Sequence, residues 1–286
     1  MLPPAGLQVI PDHAIQPSLL TPTSRVNGSS DAAGAPLSLT QAAEPGPLQL
    51  DQPPRTDLLA NIVDDLGDVV RFPFTMRSNE SLYFIPSVAL IGLTLTEDLD
   101  LYPRLHDPRN SLYDQGMPYL TSLGDGVTDL AICGLLYGLG GDKGTRAADL
   151  SLEALADTGV TVFVLKGIFS AVRPEKNSND RRFFDYGGSI WDGSFPSGHT
   201  AAAFTLAAVL GKAYHMEFAT YGLAAGVAYS RIYLSKHWPS DVLAGAVLGT
   251  WMGLWVMDKR GWSENTSSLV PEIKNGVPSL HWRARW

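Results

Sequence analysis

The chain has 286 residues, 45% of them hydrophobic and 17% charged, with a formal net charge of −8. That length suits one large domain or two small ones, and the negative balance argues against nucleic acid or anionic lipid as partners held by bulk charge. The single cysteine, Cys133 in "LAICGLLYG", excludes an internal disulfide and reads as a small buried hydrophobe; no Cys/His cluster has zinc spacing.

Residues 1–56 are rich in Pro, Gly, Ser, Ala and Gln without a sustained period, and read as a disordered linker or tail. The first twenty lack a basic start and an apolar stretch, so no signal peptide is read there. From Asp57 the pattern becomes helical. Leu58, Leu59, Ile62, Val63, Leu66, Val69 and Val70 share one face, and Asn61, Asp64, Asp65 and Asp68 the other. An acidic outer face suits a helix packed on the domain, since interfacial helices carry Lys and Arg.

Helices are expected at about 81–96, 122–140, 149–171, 198–214, 217–233 and 239–257. The fold class is therefore all-α, a compact bundle of about six to seven helices over 57–260. The longest uncharged runs, Ser81–Thr96 and Val242–Met257, have sixteen residues each, short of the ~20 that a spanning helix needs. They fit buried helices of a soluble or peripherally attached bundle. Residues 97–121 and 174–196 read as long loops, with the acidic "TEDLD" at 96–100 a solvated helix end. In the extension 261–286, Asn275-Gly276 between apolar stretches signals a hairpin, which Pro271 and Pro278 demote to an edge or irregular ribbon.

Three short blocks carry chemistry. In "LKGIFSAVRP", Lys166 and Arg173 are seven apart, which on a helix brings both cations within ~20° of one face. In "SFPSGH", Ser197 suits an N-cap, so Gly198 and His199 fall in a first turn whose free N–H groups favour an anion. In "SRIYLSKHWPSD", Pro239 suits the first helical position. His237 then stands just before a helix, with Asp241 four residues on and within reach of one imidazole nitrogen. Arg231 adds a cation from the end of the preceding helix. Each block alone has a plainer reading: a snorkelling lysine with a capping arginine, a capped helix with a surface histidine, an Asp–His pair holding a turn.

Together, Lys166-x6-Arg173-Pro174, Pro196-Ser197-Gly198-His199 and Ser230-Arg231-x5-His237-x3-Asp241 match eleven fixed residues in order. The pattern resembles the signature of the type 2 phosphatidic acid phosphatase superfamily, which takes in lipid phosphate phosphatases, class A acid phosphatases, glucose-6-phosphatases and vanadium haloperoxidases. The resemblance covers about residues 160–257. It implies that Lys166, Arg173, Arg231, Ser197 and the Gly198 N–H hold a phosphate. It implies further that His237 attacks phosphorus, Asp241 orients His237, and His199 protonates the leaving oxygen. No metal is required, because cationic side chains neutralise the phosphate.

The expected activity is a metal-independent phosphatase of phosphate monoesters, with lipid phosphates such as phosphatidic acid as substrates and a phosphohistidine intermediate. The alternative is a vanadium haloperoxidase with vanadate at the same anion site. Phe183, Phe184, Tyr186 and Trp191, ahead of "PSGH", are candidates for a lid or lipid-facing lip. Expected partners are a phosphorylated small molecule or lipid, with peripheral membrane contact and no nucleic acid. The periplasm is the expected setting, by analogy with soluble relatives alone.

Overall fold

The computed structural model describes residues 58–75, 78–107, 110–189, 192–262, 267–274 and 277–284; the expectation for 1–56 lies outside these residues. Among the described residues nine α-helices run in order: α1 (Leu58–Thr75), α2 (Ser78–Thr96), α3 (Asp98–His106), α4 (Ser111–Thr121), α5 (Gly126–Leu139), α6 (Gly141–Phe169), α7 (Gly198–Tyr214), α8 (Glu217–Tyr233) and α9 (Pro239–Lys259). Strands β1 (Ser267–Lys274) and β2 (Val277–Ala284) pair antiparallel, with Ser267 opposite Ala284 and Lys274 opposite Val277. The two residues between them lie outside the description.

α7 and α9 form the spine. Gly245, Gly249 and Gly253 recur every four residues along one face of α9, and a Cβ at each would meet Ser197 O, Ala201 O and Thr205 O at 2.5, 2.1 and 2.8 Å. Only glycine permits so close an approach of two backbones. The partners advance together along both helices, so α7 and α9 run parallel and start at the same end. α6 runs the other way: Thr158 bonds Thr205 at 2.9 Å, while Val162 lies against Gly198. α8 follows α7 after a turn at His215, whose φ of 54° is left-handed. Two helices therefore begin, and two end, at one end of the bundle. Ala147, Leu150, Ala154, Val209, Val256 and Met257 fill the core between α6, α7 and α9.

Residues 97–121 are not a loop. They hold α3 and α4, which carry Pro103 and Pro118 within them and break the expected periodicity. Tertiary contacts hold these helices in place. Tyr102 packs on Trp238, Ile232 and Val242, and Tyr233 Oη donates to Asp114 at 2.7 Å. Asn110 caps α4 by accepting from the Tyr113 N–H at 2.9 Å. α6 also starts eight residues earlier than periodicity suggests, at Gly141.

Of the two apolar runs, Val242–Met257 in α9 is mostly buried, as expected, whereas Ser81–Thr96 in α2 is not. Among the described residues α9 is long and apolar enough to cross a membrane, and 56% of its apolar window is buried. Residues 81–96 and 98–106 pass the same test together, but are bent by 78°. α2 is largely uncovered: Tyr83, Ile85, Val88, Leu90 and Leu93 are exposed. α1 is turned opposite to the expectation: Leu59, Val63 and Val70 are exposed, while Asp65 of the acidic face is buried and pairs with Lys259 of α9. Exposed apolar side chains continue along α5 (Val127, Leu130, Leu135, Leu139) and the second half of α6 (Val160, Val164, Ile168), far more than isolated surface leucines require.

Candidate active site

The three sequence blocks meet where α7 and α9 start and α6 and α8 end. Residues 170–197, which link α6 to α7, knit them together. The Val172 N–H donates to Arg182 O, Ser194 N–H to Ala171 O, Glu175 N–H to Ser235 O and Ser197 N–H to Asp241 O, all at 2.8–3.0 Å. The Trp238 indole N–H donates to Val172 O at 2.8 Å.

Lys166 lies in the last turn of α6, buried, with its Nζ donating to Gly193 O. The expectation that Lys166 and Arg173 share a helical face fails. α6 stops at Phe169, and Ser170 takes a left-handed conformation with φ 37°, so Arg173 returns on irregular chain. Its Nε donates to Asp192 O at 3.1 Å. Arg231, in the last turn of α8, donates from Nη1 to Thr121 Oγ1 at 2.7 Å. Its buried Nε has no partner among the described residues. Burial, reinforced by Arg173, pushes Lys166 down to about 8.

Ser197 caps α7 as expected: its Oγ accepts from Thr200 Oγ1 at 2.9 Å and from Thr200 N–H at 3.5 Å. Gly198 and His199 open the helix. His199 is half-buried; burial, then Arg231, lowers it to about 4. His237 is buried, and burial lowers it to about 3 despite Asp241. Lys166 and Arg231 act on both imidazoles.

Asp241 is within reach of His237 Nδ1, as expected, but is not its nearest acceptor. That nitrogen lies 2.8 Å from the Ser194 carbonyl oxygen, and 3.5 Å from Asp241 Oδ2. A carbonyl only accepts, so Nδ1 carries the hydrogen and Nε2 the lone pair. Asp241 spends its shorter bonds elsewhere: Oδ2 accepts from Trp238 N–H at 2.9 Å, and Oδ1 from Arg181 Nη2 at 2.5 Å. Burial opposes its charge, but Arg181 and His237 outweigh burial and hold its carboxyl below the usual range.

Arg181 lies outside the signature, and sequence reasoning passed over it. Its side chain is only 6% exposed. It donates to Asp98 Oδ2 and Ser194 Oγ at 3.0 Å as well as to Asp241, and its guanidinium stacks 4.3 Å from the Phe183 ring. Asp98, expected at a solvated helix end, is buried, and accepts from Ser240 N–H at 2.9 Å and from Ser240 Oγ. Thus α3 and residues 170–197 brace the first turn of α9. The one sequence signal was an arginine between charged and aromatic residues in "DRRFF", which fixes no partner. Of the aromatic lip, Phe184 and Tyr186 are exposed while Phe183 packs on Phe169 and Phe195; Trp191 lies outside the described residues.

The profile of the PAP2 superfamily matches residues 150–264. A lipid A 1-phosphatase of Rhizobium etli is 30% identical over 155 residues, covering 47% of this chain and 66% of that protein. A lipid A 1-phosphatase of Porphyromonas gingivalis is 39% identical over 77 residues, covering 23% of this chain and 16% of that protein. The chain thus spans less than two thirds of the length of either relative. A transmembrane PAP2 type phosphatidylglycerolphosphate phosphatase from Bacillus subtilis has the same fold, with a TM-score of 0.50 and 23% identity over 64% of this chain and 94% of that one.

Proposed function

The chain belongs to the PAP2 superfamily through residues 150–264, and from that premise we propose that it hydrolyses phosphate monoesters of lipids by way of a phosphohistidine. The observation that carries this reading is the meeting of Lys166, Arg173 and Arg231 with two imidazoles at one end of the bundle, where two helix N-termini add positive potential.

Lys166, Arg173 and Arg231 take the phosphate oxygens, helped by Ser197 Oγ and the Gly198 N–H, and stabilise the charge that spreads over them in transfer. Nε2 of His237 attacks phosphorus with its lone pair, and the bond to the lipid oxygen breaks. His199 takes up the proton that the phosphate monoanion brings and passes it to that oxygen. It then takes a proton from water, which attacks phosphorus and releases phosphate and free His237. Asp241 supports the positive charge on His237, and Arg181 positions Asp241.

The relatives' names point to lipid A phosphate and phosphatidylglycerol phosphate; neither names phosphatidic acid. A cavity of about 300 Å³ is lined by Val172, Lys176, Asn177, Arg182, Asp185 and Asp192 among others and suits a polar head group, although none of the phosphate-holding side chains lines it. The uncovered apolar faces of α2, α5 and α6 suit contact with a membrane, and Tyr186, which donates to Ile168 O at 2.8 Å, adjoins the α6 face.

The test is phosphate release with EDTA present, from lipid A phosphate, phosphatidylglycerol phosphate, phosphatidic acid and a water-soluble monoester, by the wild type and His237→Ala. Turnover of a lipid substrate by the wild type alone, with phosphate trapped on histidine after quenching, is expected. Release by His237→Ala at the wild-type rate overturns the mechanism. Halide oxidation with vanadate and peroxide, without phosphate release, moves the chain to the haloperoxidase reading.

A further inference from the structure

A second cluster of charged groups lies along the bundle, away from the phosphate site. Asp65 on α1 and Glu153 and Asp157 on α6 are buried, and one carboxylate oxygen from each lies within 4.8 Å of the others. Glu153 and Asp157 are four apart and so share a helical face. Nine helical residues separate Asp157 from Lys166, roughly 13 Å along α6.

Donors reach two of the three carboxylates. Asp65 accepts from Arg260 at 3.0 and 2.9 Å and from Lys259 at 2.5 Å. Glu153 accepts from Arg260 Nε at 2.6 Å and from Asn61 Nδ2 at 3.2 Å. Asp157 is fully buried and faces the Asp65 carboxyl, and neither of its oxygens meets a nitrogen or hydroxyl donor among the described residues. A carboxylate left so in a protein interior costs several kcal/mol.

Charge and geometry both ask for a cation. Lys259 also pairs with Asp64 and Asp68 at 2.9 and 2.6 Å, and Arg71 acts on Asp64 from the same helix. Five carboxylates thus face three cations. Three oxygens within 4.8 Å of one another have a common point no more than about 2.8 Å from each, which a small inward shift brings to the 2.3–2.6 Å of calcium–oxygen bonds. Each carboxylate has about four lone-pair sites, so those already bonded keep capacity for an ion.

We propose that Asp65, Glu153 and Asp157 form a site for one divalent hard cation of calcium size. The ion fastens α1 to α6 and the end of α9. Lys259 stands eighteen residues beyond Asp241, about 27 Å along α9 from the phosphate site, so the ion takes no part in phosphoryl transfer.

The test uses the full chain, stripped with EDTA and titrated with Ca²⁺, Mg²⁺ or Tb³⁺. Calcium is expected to raise the melting temperature by several degrees, and magnesium less. One Tb³⁺ per chain should bind with sensitised emission through Trp255, whose ring lies 4.9 Å from Lys259 Nζ. Asp157→Asn should weaken Tb³⁺ binding at least tenfold and abolish the calcium shift. Should that variant not fold, Glu153→Gln serves in its place, and Asp64→Asn is the control for binding at the exposed edge. Equal melting of stripped and calcium-loaded wild type, without Tb³⁺ emission, overturns the proposal and leaves a proton shared between Asp157 and Asp65 as the neutralising species. Phosphatase activity below the melting transition should survive EDTA, so failure here and failure of the proposed function are separate results.

Discussion

Nδ1 of His237 donates to the Ser194 carbonyl oxygen at 2.8 Å, closer than the 3.5 Å to Asp241 Oδ2. The tautomer that leaves Nε2 free is therefore held by backbone. In a serine protease triad, replacing the aspartate by asparagine loses the tautomer and about 10⁴ in rate. Here Asp241→Asn removes a charge but leaves the Ser194 contact. The expected loss in kcat is on the order of 10²-fold, with histidine still phosphorylated; single-turnover kinetics on both proteins measure it.

Arg181 bridges Asp98 and Asp241 in the interior. Arg181→Ala leaves both carboxylates without their guanidinium, at a cost of about 3–5 kcal/mol in stability, read as a lower denaturation midpoint. The double variant with Asp98→Asn should recover part of the stability and little of kcat, because Asp241 still lacks its clamp. Recovery of full activity would assign Arg181 a purely structural part.

In the proposed mechanism His199 serves the leaving oxygen first and water second. His199→Ala should lower turnover of alkyl phosphates by 10²–10⁴-fold. With nitrophenyl phosphate, whose leaving group needs no proton, transfer to His237 should persist and the second step should stall. A burst of nitrophenol equal to the enzyme concentration is the signature.

Two limbs are expected in the pH profile of kcat/KM. His199, lowered to about 4 by burial and Arg231, is neutral in the free enzyme at working pH. The proton for the leaving group therefore arrives on the substrate, and kcat/KM falls as the phosphate loses its second proton near pH ~6. Lys166, lowered to about 8 by burial and Arg173, loses its charge above that pH, giving a second fall. Lys166→Arg keeps the charge and should remove the second limb alone.

Gly249→Ala would set a Cβ 2.1 Å from Ala201 O, a backbone atom that cannot swing aside. Separation of α7 from α9 should cost about 3 kcal/mol and lower kcat, since the helices carry His199 and His237. Gly92→Ala, with nothing within 4 Å, should be neutral or stabilising. A thermal melt of the two variants compares them.

Much of the site was legible because its residues sit in short blocks at helix ends. Ser197 as N-cap and Pro239 at the first turn can be read from neighbours along the chain, and both stand so in the structure. α3 and α4 were not legible: Pro103 and Pro118 break their local pattern, and packing of Tyr102 and Tyr233 holds them instead. Asp98 and Arg181 escaped for a related reason, since each takes its meaning from partners 60 or more residues away.

The order of residues alone determined which side chains are candidates for the chemistry and that all of them but Arg173 fall at helix ends, because caps, prolines and periodicity act over a few residues. Tertiary structure alone decided that α7 and α9 run parallel, that Ser194 rather than Asp241 takes the nearer hydrogen of His237, and that Asp157 is buried without a donor. Those outcomes depend on how closely two backbones approach and on which distant donors are left over, and neither is set by any residue's neighbours in the chain.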